Sequence, residues 1–254
     1  MAVHYCSEGD TSRPTLILGT SLGADTSMWD PQREYLLDAF HLVTFDMRGH
    51  GRSPVSPETP TIHDFADDVV WIADALGVQR FAFCGLSIGG AIGQSLGARY
   101  SDRLSSLVLS ATGMTIMTPP ELRKRADRVL AEGMQYIADV SASRWFTEAF
   151  VNDNPEIVRR HMKHLREMNP QGYADACLAL STFDGHGSAG QISVPTLVIS
   201  GDLDIATPFA KGRALADAIP GARFELMPEA SHLCNVESPE LFSKLVKEHI
   251  LVAG

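Results

Sequence analysis

The stretch Phe81-Ala-Phe-Cys-Gly-Leu-Ser-Ile-Gly-Gly-Ala-Ile-Gly93 restricts the fold of this chain more than any other. A short apolar run leads into Gly85-Leu86-Ser87-Ile88-Gly89, and small and apolar residues continue to about Tyr100. The run has the length of a buried parallel strand, and the segment after it reads as a helix. A serine at a sharp strand-to-helix turn needs small neighbours, because the turn is strained and the helix packs tightly on its own strand. Gly85 and Gly89 supply that room and leave the hydroxyl exposed at the helix N-terminus. Gly-x-Ser-x-Gly also arises by chance; the strand before it and the helix after it give it meaning. Ser87 is the candidate nucleophile.

The flanking sequence repeats the same alternation. Val3–Cys6 reads as an edge strand, and Thr15–Gly19, His41–Asp46, Leu104–Leu109, Thr196–Ser200 and Ala222–Met227 as short apolar strands. Helices are expected from an N-cap at Asp30, with Pro31 at the first helical position, to about Ala39, from a Thr61/Asp64 capping box to about Leu76, from Thr207-Pro208 to about Ile219, and after Ser238-Pro239 with Leu241, Leu245 and Ile250 inward. Strands alternating with helices imply a mostly parallel, doubly wound α/β sheet covered on both faces. From about 115 to 190 no strand pattern is visible. Four amphipathic helices are expected there: one after Pro119-Pro120 with Leu122, Ala126, Val129 and Leu130 on a face, then Met134–Phe150, Asn154–Met168 and Gly172–Phe183. The expected organisation is one domain over 1–254, with a core of 1–114 and 191–254 and a helical cap inserted at about 115–190; 254 residues suffice for one large core and do not require two.

The net charge of −10 argues against nucleic acid or an anionic membrane surface as partner. An anionic small molecule stays compatible, because one local arginine overrides a net charge. The first ten residues lack a basic and an apolar region, so no secretory signal is read there, and no apolar run reaches membrane-span length. Cys6, Cys84, Cys177 and Cys234 are scattered, as reduced thiols of a cytoplasmic protein would be. Oligomeric state stays open, homo-oligomers included.

A serine nucleophile needs a base, and the base an orienting acid. In a doubly wound sheet both belong just beyond the C-terminal ends of strands. Gly201-Asp-Leu-Asp204 and Ala230-Ser-His232 occupy such positions, and the order Ser87, Asp204, His232 suits this sheet type. Asp204 is preferred to Asp202 because the turn at Gly201 directs its side chain back toward the base. Among the other histidines, His50 lies in a mouth loop but too early in the chain, and His161 with His164 face one side of a cap helix with no third ligand nearby, so no metal site is expected. No nicotinamide or flavin fingerprint is present and no cofactor is expected. The oxyanion donors would be the backbone N–H groups of Ile88 and, from the loop after the first long strand, Leu22.

Together these residues resemble the α/β-hydrolase fold over the whole chain. More narrowly, Gly19-Thr-Ser-Leu-Gly-Ala-Asp-Thr-Ser-Met-Trp-Asp30, Asp46-Met-Arg-Gly-His-Gly51, the segment from Gly85 to Gln94, Arg144-Trp-Phe-Thr-Glu-Ala-Phe150, Pro170-Gln-Gly-Tyr173 and Ala230-Ser-His-Leu-Cys-Asn-Val-Glu237 resemble the 3-oxoadipate enol-lactonases. Gly19-Thr20 departs from the polar residue that many relatives carry before Ser-Leu-Gly. The resemblance implies hydrolysis of a small carboxylate-bearing enol-lactone in the breakdown of aromatic compounds, with Arg144 or another cap cation on the carboxylate and Trp145 walling the pocket. A carboxylesterase or carbon–carbon bond hydrolase with the same triad is the alternative, and a ligand-binding receptor on the same fold a third. A serine at position 87 disfavours aspartate-nucleophile dehalogenases and epoxide hydrolases.

Overall fold

The computed structural model describes residues 2–253. In chain order its elements are β1 (Tyr5–Glu8), β2 (Thr15–Gly19), α1 (Asp30–Leu36), β3 (His41–Phe45), α2 (Ile62–Ala75), β4 (Phe81–Leu86), α3 (Ile88–Arg99) and β5 (Leu104–Ser110). Five cap helices follow, α4 (Pro119–Glu132), α5 (Gln135–Trp145), α6 (Glu148–Asp153), α7 (Pro155–Glu167) and α8 (Pro170–Ser181). The sheet then resumes with β6 (Thr196–Gly201), α9 (Phe209–Ala218), β7 (Arg223–Met227), α10 (Cys234–Glu237) and α11 (Pro239–Ala253).

The seven strands lie in the order β1-β3-β2-β4-β5-β6-β7, with only β1 antiparallel to its neighbour. Every residue of β2, β3, β4 and β6 is buried, as strands covered on both faces must be. β5 is contacted by α3 and by α11, which pack in different helix pairs (α3 with α2, α11 with α1), so helices cover both faces. The chain moves from β2 outward to β3 and then returns to the other side of β2 as β4. That reversal opens a crevice at the C-terminal ends of β2 and β4, the place where sheets of this kind bind ligands.

Several boundaries differ from the sequence expectation for local reasons. The strand expected at Val3–Cys6 forms two residues later, paired in register Tyr5 with Phe45. Asp30 does not cap α1 but begins it, because a 3-10 turn over Thr26–Trp29, capped by the Asp25 carboxylate, precedes it. Met134–Phe150 is not one helix. Phe146 is extended and Thr147 accepts a hydrogen bond from the Phe150 N–H, which starts α6. On α11 the buried stripe is Phe242, Val246 and Ile250, whereas Leu241 is exposed. The Thr61/Asp64 capping box forms as expected.

The cap is fixed to the core at a few defined points. Gly49, at φ 73°, meets Gly172 of α8 backbone to backbone, and a Cβ on Gly49 would lie 2.4 Å from the Gly172 Cα. His164 of α7 approaches Asp25 at 3.2 Å. The Leu233 N–H donates to the Trp145 carbonyl at 2.9 Å, and the Glu237 carboxylate accepts from the N–H groups of Thr147 and Ser231. The cap residues around Trp145 are thereby pinned to the loop that holds His232. No helix among the described residues is long and apolar enough to cross a membrane, and all four cysteines are free thiols.

Candidate active site

Ser87 sits between β4 and α3 with φ 61° and ψ −113°, a conformation that a side-chain-bearing residue rarely adopts. The surrounding backbone holds it there. Its N–H donates to the Ser110 carbonyl at 2.8 Å, and its carbonyl accepts from the Thr112 hydroxyl at 2.9 Å. The two flanking glycines are required by close approach: a Cβ on Gly85 would lie 2.1 Å from the Gly89 carbonyl oxygen, and one on Gly89 2.5 Å from the Gly19 oxygen. The Gly89 N–H donates to the Thr20 carbonyl at 3.2 Å, tying the elbow to the loop after β2.

Asp204 and His232 meet beyond the ends of β6 and β7. Nδ1 of His232 is 2.9 Å from Oδ2 of Asp204, with the Asp204 side chain wholly buried and that of His232 nearly so. The other oxygen, Oδ1, accepts from the N–H groups of Ala206 and Thr207, each at 2.8 Å. Burial pushes the Asp204 carboxyl up, but His232 and the Thr207 hydrogen bonds more than offset it, and the group is held below the usual carboxylate value. Asp202 points elsewhere: its carboxylate accepts from the Ala230 N–H at 3.3 Å. The geometry therefore pairs Asp204, not Asp202, with the histidine. Bonding Nδ1 to a carboxylate leaves Nε2 as the nitrogen free to exchange protons.

Ser87 and His232 line one cavity of about 60 Å³ together with Ser21 and Leu22 of the β2 loop. Among the described residues, the N–H groups of Leu22 and Ile88 have no hydrogen-bond acceptor in the protein. Arg144 and Trp145 line the same cavity from α5. Trp145 is buried and Arg144 half-buried. A larger cleft of about 390 Å³ opens nearby, lined by Asp25, His164 and Asn169, but no triad residue reaches it. His161 and His164 stay apart from any metal-binding cluster; none with three suitable ligands occurs among the described residues.

Two further residues were not anticipated. Arg125 of α4 also lines the cavity, half-buried, with its guanidinium against the hydroxyl of Tyr173 on α8. Burial pushes the Tyr173 phenol up, so it stays neutral. Among the described residues neither Arg125 nor Arg144 has a carboxylate partner. Thr207, expected as part of a helix cap, instead turns its hydroxyl to Asp204, while Pro208 takes the capping position of α9. The arrangement as a whole can carry nucleophilic acyl transfer: a buried elbow hydroxyl facing the cavity, an oriented imidazole, and backbone donors beside them.

Comparison with known proteins agrees with this geometry. Residues 14–239 match the family described as the α/β hydrolase fold. The chain is 36% identical to 3-oxoadipate enol-lactonase 2 of Acinetobacter baylyi, over 97% of this chain and 92% of that protein. The crystal structure of the enol-lactonase from Burkholderia xenovorans LB400 superposes with a TM-score of 0.95 at 37% identity, covering 98% of this chain and 96% of that one. A thermophilic esterase from Thermogutta terrifontis, solved with malate bound, gives 0.93 at 29% identity, covering 99% and 93%. The chain belongs to the α/β-hydrolase family and resembles its enol-lactonases.

Proposed function

We propose that this hydrolase opens a small enol-lactone bearing a carboxylate, 3-oxoadipate enol-lactone to 3-oxoadipate, in the catabolism of aromatic compounds. The observation that carries the reading is the charge of the cavity. In a protein of net charge −10, the wall facing Ser87 and His232 holds two arginines and no aspartate or glutamate. A half-buried guanidinium without an ionic partner is only partly solvated, and a substrate carboxylate satisfies it with paired hydrogen bonds. Arg144 and Arg125 would hold that carboxylate, and Trp145 would wall the ring. The relatives at 36 and 37% identity that are named enol-lactonases support the same substrate class.

The steps follow from the residues. His232 Nε2 takes the Ser87 proton as Oγ attacks the lactone carbonyl, and the N–H groups of Leu22 and Ile88 hold the oxyanion. Collapse breaks the bond to the ring oxygen. The departing enolate is a better leaving group than an alkoxide, and His232 returns the proton to it. The enol then tautomerises to a ketone, which draws ring opening forward. Water, deprotonated by His232, attacks the acyl-Ser87 ester, and collapse releases the acid as His232 returns the proton to Ser87 Oγ. The aliphatic wall of Leu122, Ile137 and Val140 would also suit a simple acyl chain, which keeps a carboxylesterase as the second reading. Steady-state turnover of purified enol-lactone beside short aryl esters decides between them. Rapid lactone opening is expected; ester hydrolysis with an untouched lactone would sink the first reading.

A further inference from the structure

Asp204 and His232 do not form a closed pair. The Thr207 hydroxyl oxygen is 2.6 Å from Asp204 Oδ2, 3.1 Å from His232 Nδ1 and 2.8 Å from the Ala111 carbonyl oxygen. All of these groups are buried. Ala111 directly follows β5 and is itself unusual, an alanine at φ 46°. Its N–H donates to Ile199 of β6 at 2.8 Å. The residues on either side of it hold the nucleophile, since the Ser110 carbonyl accepts the Ser87 N–H and the Thr112 hydroxyl donates to the Ser87 carbonyl. The strained turn 110–112 thus bonds the elbow through Ser110 and Thr112, and the acid–base pair through Ala111.

We propose that Thr207 is a positioning residue. Its hydroxyl fixes the Asp204 oxygen that faces His232, and ties that pair through Ala111 to the turn that holds Ser87. A hydroxyl has one proton and two lone pairs, so it donates to Asp204 or to Ala111 but not to both at once. Donated to Asp204, the proton completes the carboxylate's set of acceptor contacts in the resting enzyme. The Nδ1–H of His232 shares the same Oδ2, and it draws on that oxygen more strongly once Nε2 takes a proton and the ring becomes an imidazolium. The hydroxyl can then turn to Ala111 and leave that oxygen to the cation. The proton stays on the threonine throughout; only its direction changes. Valine matches the shape of threonine but can do neither, whereas serine keeps the hydroxyl and loses only a methyl.

This assignment rests on the Ser87–His232–Asp204 reading, and its test does not depend on the lactone. With 4-nitrophenyl butyrate as substrate, Thr207→Val should lose about ten- to a hundredfold in kcat with KM kept within about twofold, and Thr207→Ser should keep kcat within about threefold. The most downfield imidazole N–H resonance in the proton NMR spectrum, which reports the Asp204–His232 hydrogen bond without turnover, should move in the valine variant and return in the serine variant. Thr207→Ala replaces the valine variant if that one does not fold. An unmoved resonance together with unchanged kcat in the variant lacking the hydroxyl would overturn the assignment, and so would a serine variant as impaired as the valine one. Ester turnover surviving Ser87→Ala would instead sink the triad reading.

Discussion

The two walls of the cavity are built on opposite plans. On the sheet side, the Ser87 backbone is held by Ser110 and Thr112, and the Asp204 oxygens are filled by Ala206, Thr207 and His232. On the cap side, Arg125 and Arg144 face the same space without an ionic partner among the described residues. On the proposed function, the acid–base pair is set before substrate arrives, and the cap arginines are satisfied by it. The difference separates making a reaction fast from choosing what reacts.

The strongest way to break that division is on the sheet side. Ser87→Ala should lower kcat by roughly 10⁴-fold or more for every substrate, anionic or neutral, as removal of a triad nucleophile does. Residual turnover within about a hundredfold of wild type would place the nucleophile elsewhere. A second test lies outside the cavity, where core and cap each carry a buried histidine. Burial holds both His50 of the core and His161 of the cap down to about 4. Because these folded values lie below the ordinary 6.5, their stabilisation is present above pH 6.5 and is lost as pH falls toward 4, where the unfolded chain alone binds the protons. The loss is on the order of 3 kcal/mol for each. Urea unfolding of His161→Phe should show a shallower decline between those pH values; an unchanged slope would remove His161 from the account.

On the cap side, Arg125→Gln should raise KM for the mono-4-nitrophenyl ester of glutaric acid by about ten- to a hundredfold, and leave 4-nitrophenyl butyrate within about threefold. Equal effects on the two esters would show that Arg125 packs rather than recognises charge. The smallest effect is expected at the joint between the walls. Glu237 is half-buried, its carboxyl pushed up by desolvation, and it accepts backbone N–H groups from both sides. Glu237→Gln leaves one of those donors facing an amide NH₂ and should cost about 1–3 kcal/mol, read as a fall in Tm. An unaltered Tm would mean that the joint holds without it.

The sheet wall was far more legible in the sequence than the cap wall. Ser87, Asp204 and His232 lie where strands end, and chain order in a parallel sheet dictates which loops share a mouth. Thr207 was hidden because Thr-Pro before a helix also describes an ordinary cap; only the folded loop shows its hydroxyl turned to Asp204. Arg125 was hidden among Arg123, Lys124 and Arg128, which read as a solvated face. A signal was nevertheless present: Leu122, Arg125, Ala126 and Val129 follow helical spacing, so Arg125 falls on the apolar stripe. A charge on the buried side of an amphipathic helix is the pattern to search for. The split of Met134–Phe150 into two helices depended on one threonine cap, and the exposure of Leu241 on how α11 meets α1, which periodicity alone does not resolve.

The backbone at Ser87 has a consequence for how such a chain evolves. At φ 61° glycine is at ease where serine is not, so Ser87→Gly should relieve strain on the order of 1 kcal/mol while abolishing catalysis. Heat resistance and reactivity therefore pull in opposite directions at this codon. A lineage screened only for a sturdier fold would drift toward an inert descendant with glycine at position 87.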